Sequence, residues 1–293
     1  MIFIAGASGF IGGHLVDHLL RRGEKIRALV RSAGADERFT RSGIQTVVGD
    51  ITQPETLKGV LSPDDLVIHL VGIIEEKGPA TFQQVHVRGT TNLVAEAKQA
   101  GVRHFFYQSA LGADLNSWSG YLRTKAEAEE AVKAGGLSHT IFRPSLIIGP
   151  WDGFTKKILD MLKISPVLPV PGDGKARFQP VYVKDWLRCI QAVIESPGAY
   201  RGTFDIGGPE HLTYQEIVEM LAQVSGHTRM SVNIPMGLMR FAARAAGLLP
   251  TPPVTLDQLR LLEQDNITAP DAVRRSFGFD PLPLRDALKE FLA

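Results

Sequence analysis

Three glycines, Gly6, Gly9 and Gly12, punctuate the segment Ile4-Ala5-Gly6-Ala7-Ser8-Gly9-Phe10-Ile11-Gly12, between an apolar run and an amphipathic stretch. Their G-x-x-G-x-x-G spacing gives each a separate task. Gly6 permits a tight turn, Gly9 lets backbone approach a pyrophosphate, and Gly12 lets the next helix pack close to the strand. Ser8, Phe10 and Ile11 complete the expected contact set. The N-terminus of a helix opening at Phe10 offers free N–H groups and a partial positive charge, which suits phosphate. A strand–turn–helix setting at the head of the chain makes this spacing more specific than a lone glycine pattern.

Three further strand ends carry residues that could read the rest of a dinucleotide. The second strand ends Ala28-Leu29-Val30-Arg31-Ser32. An acidic residue there accepts from the ribose 2′-OH of NAD, whereas a basic one accommodates a 2′-phosphate. Arg31 therefore predicts NADP(H) over NAD(H), the alternative being a solvated surface arginine. In Gly49-Asp50-Ile51, Asp50 can accept from an adenine amino group while Ile51 packs on the ring. A helix N-cap is the other reading of Asp50, although Thr52 is better placed for that. Leu70-Val71-Gly72 closes a fourth strand, where backbone would pass the adenine ribose. Tyr121 and Lys125 stand four apart at the start of a predicted helix and share one face. An unperturbed phenol titrates near 10, and a neighbouring ammonium is expected to lower it.

The elements that must position these residues alternate regularly. Strands are predicted at residues 1–5, 26–30, 46–48, 66–71, 104–108 and 140–148. Helices are predicted at 10–22, 54–61, 82–100 and 121–134. This rhythm predicts an α/β chain: a Rossmann-type, doubly wound parallel sheet with a smaller C-terminal lobe. After residue 150 prolines accumulate at Pro166, Pro169, Pro171 and Pro180, which marks loops and a less regular lobe. The expected division is a dinucleotide-binding domain at 1–150, with 203–208 returning to the sheet, and a smaller, mostly helical substrate or partner lobe at 151–293. A strand at 204–206 and a helix at 214–225 fit that division. Ligands in this fold class bind outside the carboxyl ends of the strands.

With these pieces in place the chain resembles the short-chain dehydrogenase/reductase superfamily, in its extended and atypical, epimerase/dehydratase-like branches. The resemblance covers nearly the whole chain. It rests on the glycine loop, Gly49-Asp50, Gly89-Thr90-Thr91-Asn92-Leu93, Tyr121-Leu122-Arg123-Thr124-Lys125 and Arg143-Pro144-Ser145. Closer still, His69-Leu70-Val71-Gly72, Tyr121-Leu122-Arg123 and Phe178-Gln179-Pro180-Val181-Tyr182-Val183 are similar to the group holding the dehydrogenase-like accessory subunit of respiratory complex I and its bacterial relatives. The resemblance implies a Ser109-Tyr121-Lys125 site. Tyr121 would exchange a proton at the substrate oxygen, Lys125 would hold the nicotinamide ribose, and Ser109 would hydrogen-bond the substrate oxygen. Pro144 and Ser145 would lie beside the nicotinamide. Two departures count against a sugar-nucleotide epimerase. The segment 110–120 between serine and tyrosine is short, and His86 stands where relatives usually carry an asparagine.

Composition narrows the remaining classes. A formal charge of +1 gives no field to attract nucleic acid. A single cysteine, Cys189, excludes a disulfide framework and a cysteine-rich metal site, and its apolar setting reads as packed helix. No metal site is expected. No signal peptide and no membrane span are expected, and a cytoplasmic location fits. Ser145 and Trp151 are candidate pocket residues, with a packed loop as the bland reading. The apolar segment 236–249, bearing Arg240 and Arg244, could line a substrate cleft, touch a membrane surface, pack on a protein complex or belong to the core. Two functions stay open: an oxidoreductase or epimerase/dehydratase acting on a small carbonyl, hydroxyl or quinone-like substrate, and a non-catalytic cofactor-holding, assembly or redox-sensing protein.

Overall fold

Short runs of buried apolar residues set the frame of the computed structural model, which describes residues 1–32, 39, 42–165, 167–246 and 255–292. The chain opens with β1 (Ile2–Ala5), α1 (Phe10–Arg21), β2 (Ile26–Val30) and β3 (Gln45–Val48). A 3-10 turn (Pro54–Leu57) leads to β4 (Leu66–His69), and a π-helical turn (Gln83–Arg88) runs into α2 (Gly89–Ala100). Then come β5 (His104–Gln108), α3 (Gly120–Ala134), β6 (His139–Pro144) and β7 (Ile147–Ile148). The sequence continues with α4 (Gly153–Ile164), β8 (Val167–Pro171), β9 (Arg177–Phe178), β10 (Val181–Tyr182), α5 (Val183–Glu195) and β11 (Gly202–Ile206). Last are β12 (Leu212–Thr213), α6 (Tyr214–Val224), β13 (Met230–Ile234), α7 (Met236–Ala246), α8 (Leu256–Leu261), α9 (Ala272–Phe277) and α10 (Leu284–Leu292).

Seven strands form the central sheet in the order β11-β6-β5-β4-β1-β2-β3. Every residue of β1, β4 and β5 is buried, as expected of strands covered on both faces. The strand order reverses between β1 and β4, which in doubly wound sheets is where ligands bind. The parallel register aligns Ala5 with Leu29 and with His69, and His69 with Tyr107. The strand ends therefore lie level, so the glycine turn, Arg31, Leu70–Gly72 and Ser109 all leave from one carboxyl edge.

Several boundaries differ from the sequence reading, each for a local reason. The 66–71 strand stops at His69, and 54–61 contracts to the 3-10 turn. Residues 140–148 are two strands: Pro144 has no N–H for the ladder, and β7 pairs with β10 instead. Within 82–100 the first part is π-helical, with Gly89 N–H reaching back to Gln84 O. Pro166 and residues 247–249 lie outside the described residues.

The chain divides into two units, Met1–Arg143 with Leu187–Phe204, and Pro144–Trp186 with Asp205–Ala293. The second unit combines helices with paired strands: β10 with β7, β9 with β12, and β8 with β13. Gln179 staples it internally. Its Nε2 donates to Gly208 O at 2.7 Å and its Oε1 accepts from Thr268 N at 2.7 Å.

Candidate functional site

The glycine turn is built as its spacing requires. Gly6 has φ +97°, and a side chain there would meet the Leu70–Val71 peptide at 3.0 Å. A Cβ on Gly12 would sit 2.1 Å from Gly6 O, so this glycine lets α1 start against the turn. At Gly9 the nearest atom to an added Cβ is Gly6 O at 3.4 Å, an ordinary contact. The protein itself thus tolerates a methyl at Gly9. Gly9 is the N-cap of α1, makes no side-chain cap bond and is followed by no acidic residue in the first turn. The first helical bond is Gly13 N to Gly9 O at 2.8 Å, so the Phe10, Ile11 and Gly12 N–H groups have no acceptor within the helix. Ser8 is exposed beside them. The cradle fits an anion such as a pyrophosphate.

Arg31 is exposed just past β2 and makes no ion pair among the described residues. Asp50 closes a local turn, its Oδ1 accepting from Thr52 N and Thr52 Oγ1, both at 2.8 Å. Ile51 is buried in the core, where a Cβ on Gly89 would lie 2.6 Å from its Cδ1. Its carbonyl accepts from Asn92 Nδ2 at 2.8 Å. Leu70 N donates to Ala5 O at 2.8 Å, which ties the Leu70–Gly72 segment to the glycine turn.

On α3, Tyr121, Lys125 and Glu129 follow at i, i+4 and i+8. Ser119 caps the helix and accepts from Leu122 N. Lys125 is only 4% exposed, and its Nζ donates to Gln108 O at 2.9 Å, 5.1 Å from the Tyr107 ring centre. A Cβ on Gly72 would lie 3.1 Å from that Nζ. Burial pulls the ammonium down to about 8, and the Glu129 charge opposes that shift. One residue past Gln108, Ser109 is buried and its Oγ has no hydrogen-bond partner among the described residues. An unmet buried hydroxyl costs about 1–3 kcal/mol, so such groups ask for a ligand or water. Tyr121 is half-buried, and burial pushes its phenol up to about 12. This corrects the expectation of a lowered phenol: in the protein alone, desolvation decides the direction.

His86, which stands where relatives usually carry an asparagine, braces this face. His86 is fully buried, with Nδ1 3.0 Å from Thr124 Oγ1 and Nε2 3.1 Å from both N and O of Ile73. Burial, with the Lys125 charge adding to it, pulls the ring down to about 2, so it is neutral and donates through one nitrogen while accepting through the other. His86 thereby joins the segment after β4 to the first turn of α3. It also stacks on Phe82 and meets Tyr121 edge-on at 5.6 Å. Buried Glu129 is gripped by Arg143 Nε at 2.7 Å and Nη2 at 2.6 Å. Extending the four-residue spacing from Tyr121 and Lys125 would have marked Glu129. Nothing in the sequence marks the Gln108 carbonyl.

In the second unit Pro144 and Ser145 are buried. Ser145 Oγ donates within 2.7 Å of Asn266 Oδ1 and accepts from Gln179 N at 3.2 Å, so its hydroxyl is engaged. Trp151 is 86% exposed at φ +66°.

With this geometry in place, a family model described as NmrA-like matches residues 1–244. The chain belongs to the NmrA-like family. It falls in the extended short-chain dehydrogenase/reductase branch near complex I subunit-like proteins. It is 29% identical to the mitochondrial NADH dehydrogenase [ubiquinone] 1 alpha subcomplex subunit 9 of Arabidopsis thaliana, over 99% of this chain and 76% of that protein. It is 30% identical to the ceramide reductase of Caulobacter vibrioides, over 80% of this chain and 74% of that protein. Among solved structures, the UDP-glucose 4-epimerase of Thermus thermophilus in complex with NAD superposes with a TM-score of 0.74 at 20% identity, covering 99% and 97% of the two chains. That likeness shows the fold alone. The chain thus has an NAD(P)-binding, epimerase/dehydratase-like fold and reductases among its relatives. No helix among the described residues is long and apolar enough to cross a membrane.

Proposed function

We propose that the chain holds NADP(H) along the carboxyl edge of its sheet and reduces a small carbonyl or quinone-like substrate through Ser109, Tyr121 and Lys125. The observation that carries this reading is the buried Lys125, bonded to Gln108 O, directly before a buried serine hydroxyl that has no partner. The backbone from Gly6 to Gly12, with Ser8, would hold the pyrophosphate. Arg31 would take the 2′-phosphate, Asp50–Ile51 and Leu70–Gly72 the adenosine, and Lys125 the nicotinamide ribose. When bound, the nucleotide supplies hydride chemistry.

Ser109 donates a hydrogen bond to the substrate oxygen. Tyr121 gives that oxygen its proton. A phenol held near 12 keeps its proton at physiological pH, so the protonated form is the one that meets the substrate oxygen. His86 acts as a positioning residue through Thr124.

In a second reading the site holds cofactor without turnover in an assembly or redox-sensing role, since the chain's relatives include a complex I subunit. Turnover of NADPH against a panel of quinones and carbonyls separates the two. With a substrate in hand, Tyr121→Phe should leave cofactor affinity nearly unchanged and cut the single-turnover rate by about 10² or more. Full activity in that variant would show that the proton travels by another group.

A further inference from the structure

The second unit turns apolar side chains outward where a packed lobe would hide them. Of the twelve large apolar residues exposed among the described residues, six lie in two segments of this unit: Ile164, Val167, Met230, Val232, Leu238 and Phe241. The β8–β13 register sets Met230 beside Val167. Strand alternation puts Val232 on the same face, while Leu168 and Val170 are buried beneath. On α7, Leu238 and Phe241 stand three apart and share a face. Phe241 is 70% exposed, whereas Ala243 on the opposite side is buried. Its largest apolar residue, Phe241, is thus turned outward.

The pieces adjoin. Arg229, just before β13, donates from Nε to Ser165 O at 3.0 Å and from Nη2 to Leu162 O at 3.3 Å. Those bonds tie the end of α4, with Ile164 at 85% exposure, to the strand pair. From Ile234 the chain passes into α7 through Pro235 alone.

Bases outnumber acids around this face. Lys156, Lys157 and Lys163 lie on α4 against Asp160, and Arg229, Arg240 and Arg244 follow in a stretch with no acid. Counting Glu263, which pairs with Arg240, and Glu219, which accepts from Ser231 on β13, three acids face six bases. The whole chain carries only +1. Large apolar residues interspersed with lysine and arginine are the pattern of a helix lying in a membrane interface. Protein interfaces enrich Phe, Met and Arg but deplete lysine, so Lys156, Lys157 and Lys163 are what favour a bilayer.

We propose that this face of the second unit docks on a bilayer that carries anionic headgroups. Phe241, Leu238 and Met230 enter the headgroup–acyl boundary, and the basic residues pair with headgroup phosphates. Every residue involved lies in the second unit, so the proposal stands apart from the dinucleotide reading.

The test is co-sedimentation of the full chain with vesicles of phosphatidylcholine alone and of a phosphatidylcholine–phosphatidylglycerol mixture. The chain should pellet with the mixture, and less so as salt rises. The exposed double variant Leu238→Ser/Phe241→Ser should bind both vesicles roughly tenfold more weakly or worse. Lys157→Gln/Arg244→Gln should lose about fivefold per charge on the mixture alone. Circular dichroism checks that both variants fold. No binding to the mixture, or a Leu238→Ser/Phe241→Ser variant that binds like its parent, overturns the proposal. So does concentration-dependent self-association that Phe241→Ser abolishes without any vesicle binding, which would assign the face to a second copy of the chain.

Discussion

A lysine sealed from water beside a single main-chain carbonyl is an expensive arrangement, and its cost depends on pH. Lys125 titrates near 8 in the folded chain and near 10.5 unfolded. Below pH 8 both states hold the proton and the penalty is constant. Between the two values the unfolded chain binds a proton that the folded chain lacks, so stability rises with pH. Denaturant unfolding at pH 7, 8, 9 and 10 should show that rise, at most about 1.4 kcal/mol per pH unit, and Lys125→Met should flatten it. Parallel curves for the two proteins would mean that Lys125 is not desolvated as its burial implies. The Tyr121–Lys125 pair was legible because both side chains sit four apart on one helix face. The brace around it was not, because His86, Thr124 and Ile73 come from three separated segments that only the fold joins. Ser109 could be placed at a strand end, yet its lack of a partner is a property of packing alone.

At the scale of elements, the strands and helices of the sheet were readable from period and punctuation, and the parallel order followed from their alternation. Their ends were less readable. The split of 140–148 turns on which partner Ile147 finds, and the π-helical turn at Gln83–Arg88 carries a histidine whose anchors lie outside the helix. The glycine turn gives the sharpest element-level prediction. Gly12→Ala forces a Cβ to within 2.1 Å of Gly6 O, so the turn and helix must part. Overpacking of that kind costs about 1–3 kcal/mol, and unfolding should show it. Gly9→Ala meets only a 3.4 Å contact. Its stability should therefore change by no more than about 1 kcal/mol, whereas dinucleotide affinity should fall by roughly tenfold or more. Should Gly9→Ala bind as the parent does, the pyrophosphate does not approach that backbone.

Across the whole molecule, the first unit buries three neutral histidines, His69, His86 and His104, held near 3, 2 and 4 by desolvation. An unfolded histidine titrates near 6.5, so the unfolded chain takes up protons first on acidification. Stability is whole above pH 6.5 and falls below it, by up to about 1.4 kcal/mol per pH unit for each ring. Unfolding measured from pH 7 down to 5 should reveal that loss before most carboxylates titrate, and His86→Asn should remove about a third of it. A flat profile over that range would contradict the buried, neutral assignment.

In the proposed function the carboxyl edge of the sheet holds a dinucleotide and Arg31 reads its 2′-phosphate. Calorimetric titration of the chain with NADPH and with NADH tests it most directly. Both should bind, with NADPH tighter by roughly tenfold to a hundredfold, the worth of a charge-assisted contact. Arg31→Ala should weaken NADPH alone and bring the two together. No binding of either nucleotide to the folded chain would contradict the account at its root, and an equal loss of both in Arg31→Ala would remove Arg31 from the 2′-phosphate.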